Sequence, residues 1–265
     1  MSKGRIALRD CHFRVARVPG LQPLQLREPG RARLLSSRRL RLSAGESCDM
    51  RFDGEESVLV LQQGRARVEL GDGRSVEISR KSVFEERASA VYVPPGCEIA
   101  LSAESELELI AVSTPARHTG RAHVVLPEHV RATARGGPGY TREVHDILVD
   151  DAHAQHLMAG ETFNPAGAWS SYPPHKHDGR NGEPALEEVY HFRIEPPGGF
   201  GIQRLYADEQ DTSFSVEDGD TVLIPYGYHP VAAPPGYRLY YLWVLAGSER
   251  RLALHNDPRH AWIDG

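Results

Sequence analysis

Cysteine is scarce in this sequence, and the few cysteines present are scattered. Only Cys11, Cys48 and Cys97 occur in the 265 residues. An odd number of widely spaced cysteines argues against a disulfide framework. We therefore predict a reduced, cytoplasmic protein.

Long apolar runs and a basic surplus are also missing. No run of about 18 apolar residues occurs, so we expect no membrane span. Residues 1–18 lack both a continuous apolar stretch and a small-residue cleavage site, so we expect no secretory signal. The net charge of −5 provides no basic surface for nucleic acid or anionic lipid. A small anionic substrate would have to be attracted by a few well-placed arginines or lysines.

Long amphipathic helices are absent from the pattern, and strand patterns dominate. Short runs rich in Val, Ile, Leu, Tyr and Phe recur between turns marked by Gly, Pro, Asp and Asn. Asp72–Gly73 and Asp218–Gly219 suit tight turns between antiparallel strands. One short helix is expected around Val130. Many short strands at this spacing predict an all-β sandwich or barrel.

The two halves of the sequence resemble each other. The stretch "SAVYVPPGCEIAL" at 89–101 has the same layout as "DTVLIPYGYHPVA" at 220–232: a strand, then Pro-x-Gly, then a short strand. We therefore prefer two copies of one β-barrel, and one irregular sandwich is the alternative. The expected boundaries are an N-terminal barrel at 1–118, a connector at 119–144 and a C-terminal barrel at 145–265.

Four residues of the second half form a candidate metal site. His175 and His177 are two residues apart, so both rings point to one face of an extended segment. Glu188 lies on the otherwise apolar face of the next strand, where a carboxylate is costly unless it meets a charge. Glu187 has the opposite parity and is expected to face solvent. His229 follows a Pro-x-Gly turn that can direct its ring back into a barrel.

Three histidines and one carboxylate form a donor set of nitrogen and oxygen. Zinc or manganese are the first expectations for the single divalent metal, and iron, cobalt or nickel are also compatible. A structural zinc site would more often use cysteine in a closed tetrahedron. A His-x-His pair alone is a weak indication, because 13 histidines produce such pairs by chance. The combination with Glu188 and His229 is more specific.

At these residues the sequence resembles the cupin superfamily. Its first motif has two histidines and then a glutamate on adjacent strands, and its second has Pro-x-Gly followed by a histidine. The matching segments here are "HKH" with Glu188, and "GDTVLIPYGYHP". The spacing from His177 to Glu188 is longer than usual because of an insertion, "DGRNGEPAL". His229 follows Gly227 by two residues instead of three.

Within the cupins, the sequence is similar to the 5-deoxy-glucuronate isomerase family of inositol catabolism. The similarity is strong from Gly137 to Ile263, as in "GAWSSYPPHKHD", "EEVYHFRIEPPGGFGIQRLYADE" and the ending "NDPRHAWI". The resemblance implies a bicupin of two double-stranded β-helix (jelly-roll type) barrels. The first barrel would be degenerate, since "VPPGCEI" has no histidine where "IPYGYHP" has one. One metal per chain and a homo-oligomer are implied as well.

The resemblance also implies a reaction, the conversion of 5-deoxy-D-glucuronate into 5-dehydro-2-deoxy-D-gluconate. A divalent metal would stabilise the developing enediolate as a Lewis acid, and a general base would move the proton. A metal-assisted hydride shift is the alternative mechanism. Other possible functions are a 4-deoxy-5-hexosulose-uronate isomerase of pectin breakdown, a metal-dependent cupin dioxygenase, and a non-catalytic sugar-binding cupin.

Five further residues are candidates for catalysis and for binding the small sugar-acid substrate. Glu161, in a mainly apolar strand, would act as the base if it faces inward. Tyr190 shares the face of Glu188 and would lie near the metal. Arg180 in the inserted loop, or Arg204 on a strand, would pair with the substrate carboxylate. Tyr241 would donate a hydrogen bond to the sugar. For each residue the alternative is an ordinary core or surface role.

Overall fold

The computed structural model describes residues 6–28, 32–117 and 120–264. In the first part of this described chain the strands are β1 (His12–Phe13), β2 (Gly20–Gln25), β3 (Ser36–Leu42), β4 (Ser47–Arg51), β5 (Glu55–Leu70), β6 (Ser75–Arg80), β7 (Ala90–Val93), β8 (Glu98–Ala103), β9 (Leu107–Pro115), β10 (His123–Val125) and β11 (Arg131–Arg135). The second part contains β12 (Arg142–Asp146), β13 (Leu157–Asn164), β14 (Trp169–Ser170), β15 (His175–Lys176), β16 (Leu186–Glu195), β17 (Phe200–Ala207), β18 (Gln210–Glu217), β19 (Thr221–Ile224), β20 (Val231–Ala232), β21 (Arg238–Gly247) and β22 (His255–Asn256).

Helices in the described residues are short turns of 3₁₀ type, Leu8–Asp10, Pro127–His129 and Pro258–Asp264. The all-β prediction is therefore confirmed. None of the helices described has the length and apolarity that a membrane crossing requires.

The short helix expected around Val130 is replaced by a single turn and a strand. The turn Pro127–His129 ends where Val130 adopts extended backbone angles. Strand β11 then pairs antiparallel with β12. This ladder supplies the backbone hydrogen bonds that a longer helix would otherwise have made.

The two halves share one order of strands. One sheet contains the sequence of neighbours β7-β5-β9-β3-β2, and another contains β19-β16-β21-β13-β12. The segments that resemble each other in sequence include β7 in the first order and β19 in the second. This repeat supports the interpretation as two barrels, which stays a prediction.

A strand of the first half joins the sheet of the second half. Strand β1 pairs with β19 of the second half, and Leu8 and Cys11 are buried in the apolar cluster that contains Tyr190 and Phe192. The predicted boundary at 118 and 119 lies outside the described residues. The predicted connector is partly strand, because β10 pairs with β7 and β11 pairs with β12.

Strand β21 is buried on both faces, and this determines where the functional site lies. Tyr241 and Trp243 point into the same apolar cluster as Tyr190. Tyr240 and Leu242 point the other way, into a second cluster that contains residues of both halves. Successive side chains alternate across a strand, so every neighbouring strand of this sheet also has one face toward each cluster.

Candidate metal centre

Three buried side chains converge at one end of the sheet that contains β16. The ligand atoms of His177, Glu188 and His229 lie within 4.8 Å of one another. A Glu188 carboxylate oxygen lies 2.9 Å from His177 Nε2 and 3.4 Å from His229 Nε2. The buried His229 Nε2 makes no hydrogen bond with a described residue. Within the described ranges this is the one such group of potential ligands.

Backbone carbonyls fix the orientation of two of the imidazoles. His177 Nδ1 lies 3.0 Å from the Leu186 carbonyl oxygen, and His229 Nδ1 lies 3.0 Å from that of Gly227. When Nδ1 carries the hydrogen and donates it to a carbonyl, Nε2 has a lone pair that can bind a metal. Gly227 has a φ of +85°, and an added Cβ would lie 2.6 Å from the Tyr206 carbonyl oxygen. Only glycine fits this turn, which aims His229 at the cluster.

His175 lies beside this group and lines the same cavity. Its ring centroid is 4.8 Å from that of His229, with the two planes at 87°. Lys176 points the other way, where its ammonium contacts Asp178 at 2.5 Å and Glu183 at 2.6 Å. The alternation predicted for "HKH" therefore holds. The structure brings all four predicted metal ligands together, and His175, His177 and Glu188 line one cavity.

The electrostatics of the cluster suit a cation. Burial raises the pKa of Glu188 and lowers that of His229 well below its usual value. Burial also lowers the pKa of His177, but the Glu188 carboxylate outweighs it and the net shift is upward. A buried carboxylate surrounded by imidazoles is stabilised when a positive charge is shared among them. The donor set thus fits a divalent metal with nitrogen and oxygen ligands.

His177 and Glu188 of this cluster form part of the wall of a cavity of about 70 Å³. Glu188 is the one carboxylate among the described residues that line it. The lining consists of Arg135, Arg142, Val144, Thr162, Ser171, His175, His177, Glu188, Tyr190, Tyr241, Trp243, Leu245, Leu252 and Leu254. A mostly apolar cavity with a few convergent polar groups is typical of a small-molecule site.

A chain of hydroxyl groups lies next to the cluster. Ser171 Oγ is 2.9 Å from the Tyr190 hydroxyl and 3.3 Å from that of Tyr241, and Tyr241 donates to Ser170 Oγ at 2.9 Å. The two tyrosine rings stack with centroids 4.3 Å apart. Burial raises the pKa of Tyr190 well above its usual value, and that of Tyr241 also rises. Both hydroxyls therefore stay protonated and act as hydrogen-bond donors.

Ser171 is a cavity residue that the sequence analysis missed. Its φ of +47° is uncommon for a residue with a side chain. A serine pair before two prolines carries no pattern that would have identified it. The contact with Tyr190 depends on the fold, because 19 residues separate the two side chains.

Glu161 is on the opposite face of its strand from the cavity. Its carboxylate accepts hydrogen bonds from Arg80 at 2.6 and 3.0 Å and from the Tyr240 hydroxyl at 2.7 Å. Arg80 and Glu161 are fully buried, and the pair joins the two halves of the chain. The structure does not bring Glu161 to the candidate metal ligands, so we do not propose it as the base.

Glu187 has the predicted opposite parity to Glu188, but it does not face solvent. It is buried, and its carboxylate oxygens accept backbone N–H groups of Arg33, Leu34 and Leu35 at 2.8, 3.0 and 2.8 Å. The expectation of exposure fails because the first half of the chain covers this face of the sheet.

Arg180 and Arg204 do not line the cavity. Arg180 pairs with Asp208 at 2.8 Å, and Arg204 pairs with Asp211 at 2.6 Å; both side chains are more than one-third exposed. The parity of β17 turns Arg204 outward, since the neighbouring Leu205 is the residue that enters the core. The cavity arginines are instead Arg135 and Arg142, which the sequence analysis had placed in the connector.

The fold and the site together define a class of protein: an all-β cupin with a buried histidine–glutamate cluster. Comparison with solved structures supports this class. The chain is similar to an IolB-like protein of Salmonella typhimurium, with a TM-score of 0.90, 36% identity, and coverage of 97% of this chain and 100% of the other. It is also similar in fold to oxalate decarboxylases of Lactobacillus farciminis (TM-score 0.65, 14% identity, 94% and 87% covered) and Bacillus subtilis (TM-score 0.64, 16% identity, 97% and 80% covered).

The comparison by sequence identifies a narrower group of similar proteins than the comparison of folds. The chain is 40% identical to the 5-deoxy-glucuronate isomerase of Geobacillus kaustophilus over 228 residues, which cover 84% of this chain and 83% of the relative. It is 35% identical to the enzyme of the same name from Bacillus subtilis, with 84% and 85% covered. The chain belongs to the KduI/IolB family, whose model matches residues 20–263.

Proposed function

We propose that this protein is a metal-dependent isomerase that converts 5-deoxy-D-glucuronate into 5-dehydro-2-deoxy-D-gluconate. The observation that carries the proposal is the buried cluster of His177, Glu188 and His229, of which His177 and Glu188 line a cavity. The relatives named 5-deoxy-glucuronate isomerase, which match over most of the chain, supply the reaction. No feature of the cavity favours the pectin-pathway isomerase, the dioxygenase or the non-catalytic binding protein.

His177, Glu188 and His229 would hold the divalent metal, and His175 beside them is the proposed fourth ligand. Zinc or manganese is our first proposal for the metal, because imidazole and carboxylate donors suit both. Bound there, the metal would act as a Lewis acid toward the carbonyl and adjacent hydroxyl oxygens of the substrate.

The hydroxyl chain has a separate task in the proposed reaction. Because the Tyr190 hydroxyl remains protonated and can accept its hydrogen bond from Ser171, it can donate its own hydrogen to an oxygen on which negative charge develops. Ser171 bridges the two tyrosines and holds them in position. Donors fixed in this way need no rearrangement when the charge forms, so they favour the transition state over the ground state.

The apolar part of the cavity would limit the access of water to the reacting atoms. Trp243 and Leu245 on β21, with Leu252 and Leu254 beyond it, contribute this surface. Low water content strengthens the interaction of the fixed donors with developing charge.

Conversion followed by NMR tests the proposed function. Protein loaded with zinc or manganese is incubated with 5-deoxy-D-glucuronate without oxygen or nicotinamide, and the aldehyde and ketone signals are followed. We expect aldehyde loss matched by ketone gain. A requirement for oxygen would instead indicate the dioxygenase. Conversion of 4-deoxy-5-hexosulose uronate, with no conversion of 5-deoxy-D-glucuronate, would indicate the other isomerase.

We further propose that the two halves are two barrels, of which the first is a metal-free scaffold, and that the protein works in the cytoplasm as a homo-oligomer. The free cysteines support the reducing compartment. Exposed aromatic residues such as Trp262 and Phe200 support a subunit contact. A scattering mass equal to the 29.4 kDa monomer at micromolar concentration would contradict the oligomer.

A further inference from the structure

Two arginines lie side by side in the cavity that holds the candidate metal ligands. Arg135 and Arg142 are directly opposite each other in the β11–β12 ladder, and both line the same cavity as Glu188. Like charges directly opposite on neighbouring strands destabilise a sheet. Arg135 is exposed and Arg142 is half-buried, so solvent screens part of this repulsion, and an anion bound by both guanidinium groups would relieve the rest.

The protein itself does not supply this anion. Among the residues that the structure describes, no carboxylate lies within the 4.0 Å ion-pair distance of Arg135 or Arg142. Arg142 Nη1 donates to the carbonyl oxygens of Tyr140 at 3.3 Å and Tyr172 at 3.2 Å. These carbonyls hold the guanidinium in place, but they carry no net charge, so its positive charge is left for a ligand.

The arginines and three of the proposed metal ligands line one cavity from different parts of the chain. Strands β13 and β21 lie between β12, which carries Arg142, and β16, which carries Glu188. The strand register aligns Glu143, the neighbour of Arg142, with Arg193, so Arg142 is also displaced along the sheet from Glu188 and reaches the cavity through its long side chain. The long arginine side chain and the ligand side chains extend into this space from its two sides. Between them, Thr162 and Tyr241 present hydroxyl groups to the cavity.

We propose that Arg135 and Arg142 bind the carboxylate of the uronate substrate while the His177–Glu188–His229 cluster holds its aldehyde end. The inference rests on the isomerase function proposed above and specifies how its substrate is recognised. Guanidinium groups bind carboxylates in a planar, two-point geometry that lysine cannot reproduce. Attachment at both ends fixes the carbon that loses hydrogen relative to the reactive groups.

Variants at the two arginines test the proposal with a matched pair of ligands. Binding of 5-deoxy-D-glucuronate and of 5-deoxy-D-glucose, which has a hydroxymethyl group in place of the carboxylate, is measured by calorimetry on metal-loaded protein. The variants are Arg142→Gln, Arg135→Gln and their combination. Arg180→Gln and Arg204→Gln are controls, because they remove arginines that already pair with aspartates outside the cavity.

We expect Arg142→Gln to weaken binding of the uronate about 30-fold, in line with loss of a charge-assisted hydrogen bond. Binding of the neutral sugar should change by less than about threefold, and metal content should be unchanged. Arg142→Lys should recover only part of the loss. The controls should bind both ligands as the wild type does.

Two results would overturn the inference. One is uronate binding within threefold of wild type in the Arg135→Gln, Arg142→Gln double variant. The other is an equal loss for both ligands, which would indicate general damage to the cavity. Wild-type protein that binds the uronate through these arginines without converting it would refute the isomerase function alone. Wild-type protein that binds neither ligand would refute both.

Discussion

Glu56 in the first half of the chain binds backbone N–H groups of the second half, and Glu187 in the second half binds backbone N–H groups of the first half. One oxygen of Glu187 accepts the backbone N–H of Arg33, and the other accepts the next two N–H groups, just before β3. Glu56 binds the backbone N–H groups of residues 155–157 in the same way at the start of β13, at 2.6–2.8 Å. Strands β5 and β16, which carry the glutamates, hold equivalent places in the two strand orders.

This reciprocal contact predicts a matched loss of stability. Glu56→Gln or Glu187→Gln should each lower the free energy of unfolding by about 2–4 kcal/mol, because an amide group cannot accept three backbone N–H bonds. Urea unfolding measures the change. Glu69→Gln is the control, since Glu69 is an exposed glutamate of β5. Unchanged stability in both variants would show that the contact contributes nothing to joining the halves.

The buried pair of Arg80 and Glu161 predicts a structural effect and not a catalytic one. Glu161→Gln should destabilise the protein by about 3–5 kcal/mol, because it leaves the Arg80 charge buried without its partner. The kcat of protein that remains folded should stay within about threefold of wild type. Replacing both residues with Met should cost less than the single change. A collapse of kcat with unchanged stability would restore Glu161 as the base.

The hydroxyl chain predicts a loss of rate without a loss of metal. Tyr190→Phe and Ser171→Ala should each lower kcat about tenfold or more and leave KM nearly unchanged, since the lost hydrogen bond acts mainly in the transition state. Steady-state kinetics and elemental analysis give the two readouts. Tyr237→Phe, which alters a partly buried tyrosine outside the cavity, should leave kcat unaltered. A rise in KM with kcat preserved would indicate that the hydroxyls only bind substrate.

Much of the candidate site follows from local spacing in the sequence. Strand alternation places His175 and His177 on one face and Glu188 with Tyr190 on another, and neither step requires knowledge of distant contacts. The Pro-x-Gly turn before His229 is a local feature as well. These residues meet in the structure because each one is specified by its own strand and turn.

The direction of Glu161 could not be predicted in the same way. Strand β13 is apolar on both faces, since Met158 enters one core cluster and Leu157 enters the other. The alternation of side chains along β13 is then compatible with either orientation of the Glu161 side chain. The deciding partner, Arg80, lies 81 residues earlier in the chain, and only the packing of the two halves brings it there. The exposure predicted for Glu187 failed for the same reason.

The carboxylate-binding arginines were missed because their strands do not look like core strands. Strand β11, with the sequence "RATAR", is mostly exposed. The neighbouring sequence is rich in Gly and Arg, a composition that is typical of a connector. Pairing with β12 turns β11 into the edge of the sheet that carries the site. The fold class and the four proposed metal ligands were therefore accessible from sequence, whereas the opposite end of the cavity was not.

Metal stoichiometry tests the central claim most directly. Protein freed of metal by chelation and reloaded with zinc or manganese is analysed for metal per chain, as wild type, as the His177→Ala, His229→Ala double variant, and as His129→Ala, an exposed-histidine control. We predict one metal per chain in the wild type and the control, and none in the double variant, because two of three converging ligands are lost. One metal retained in the double variant, or none bound by the wild type, would contradict the account.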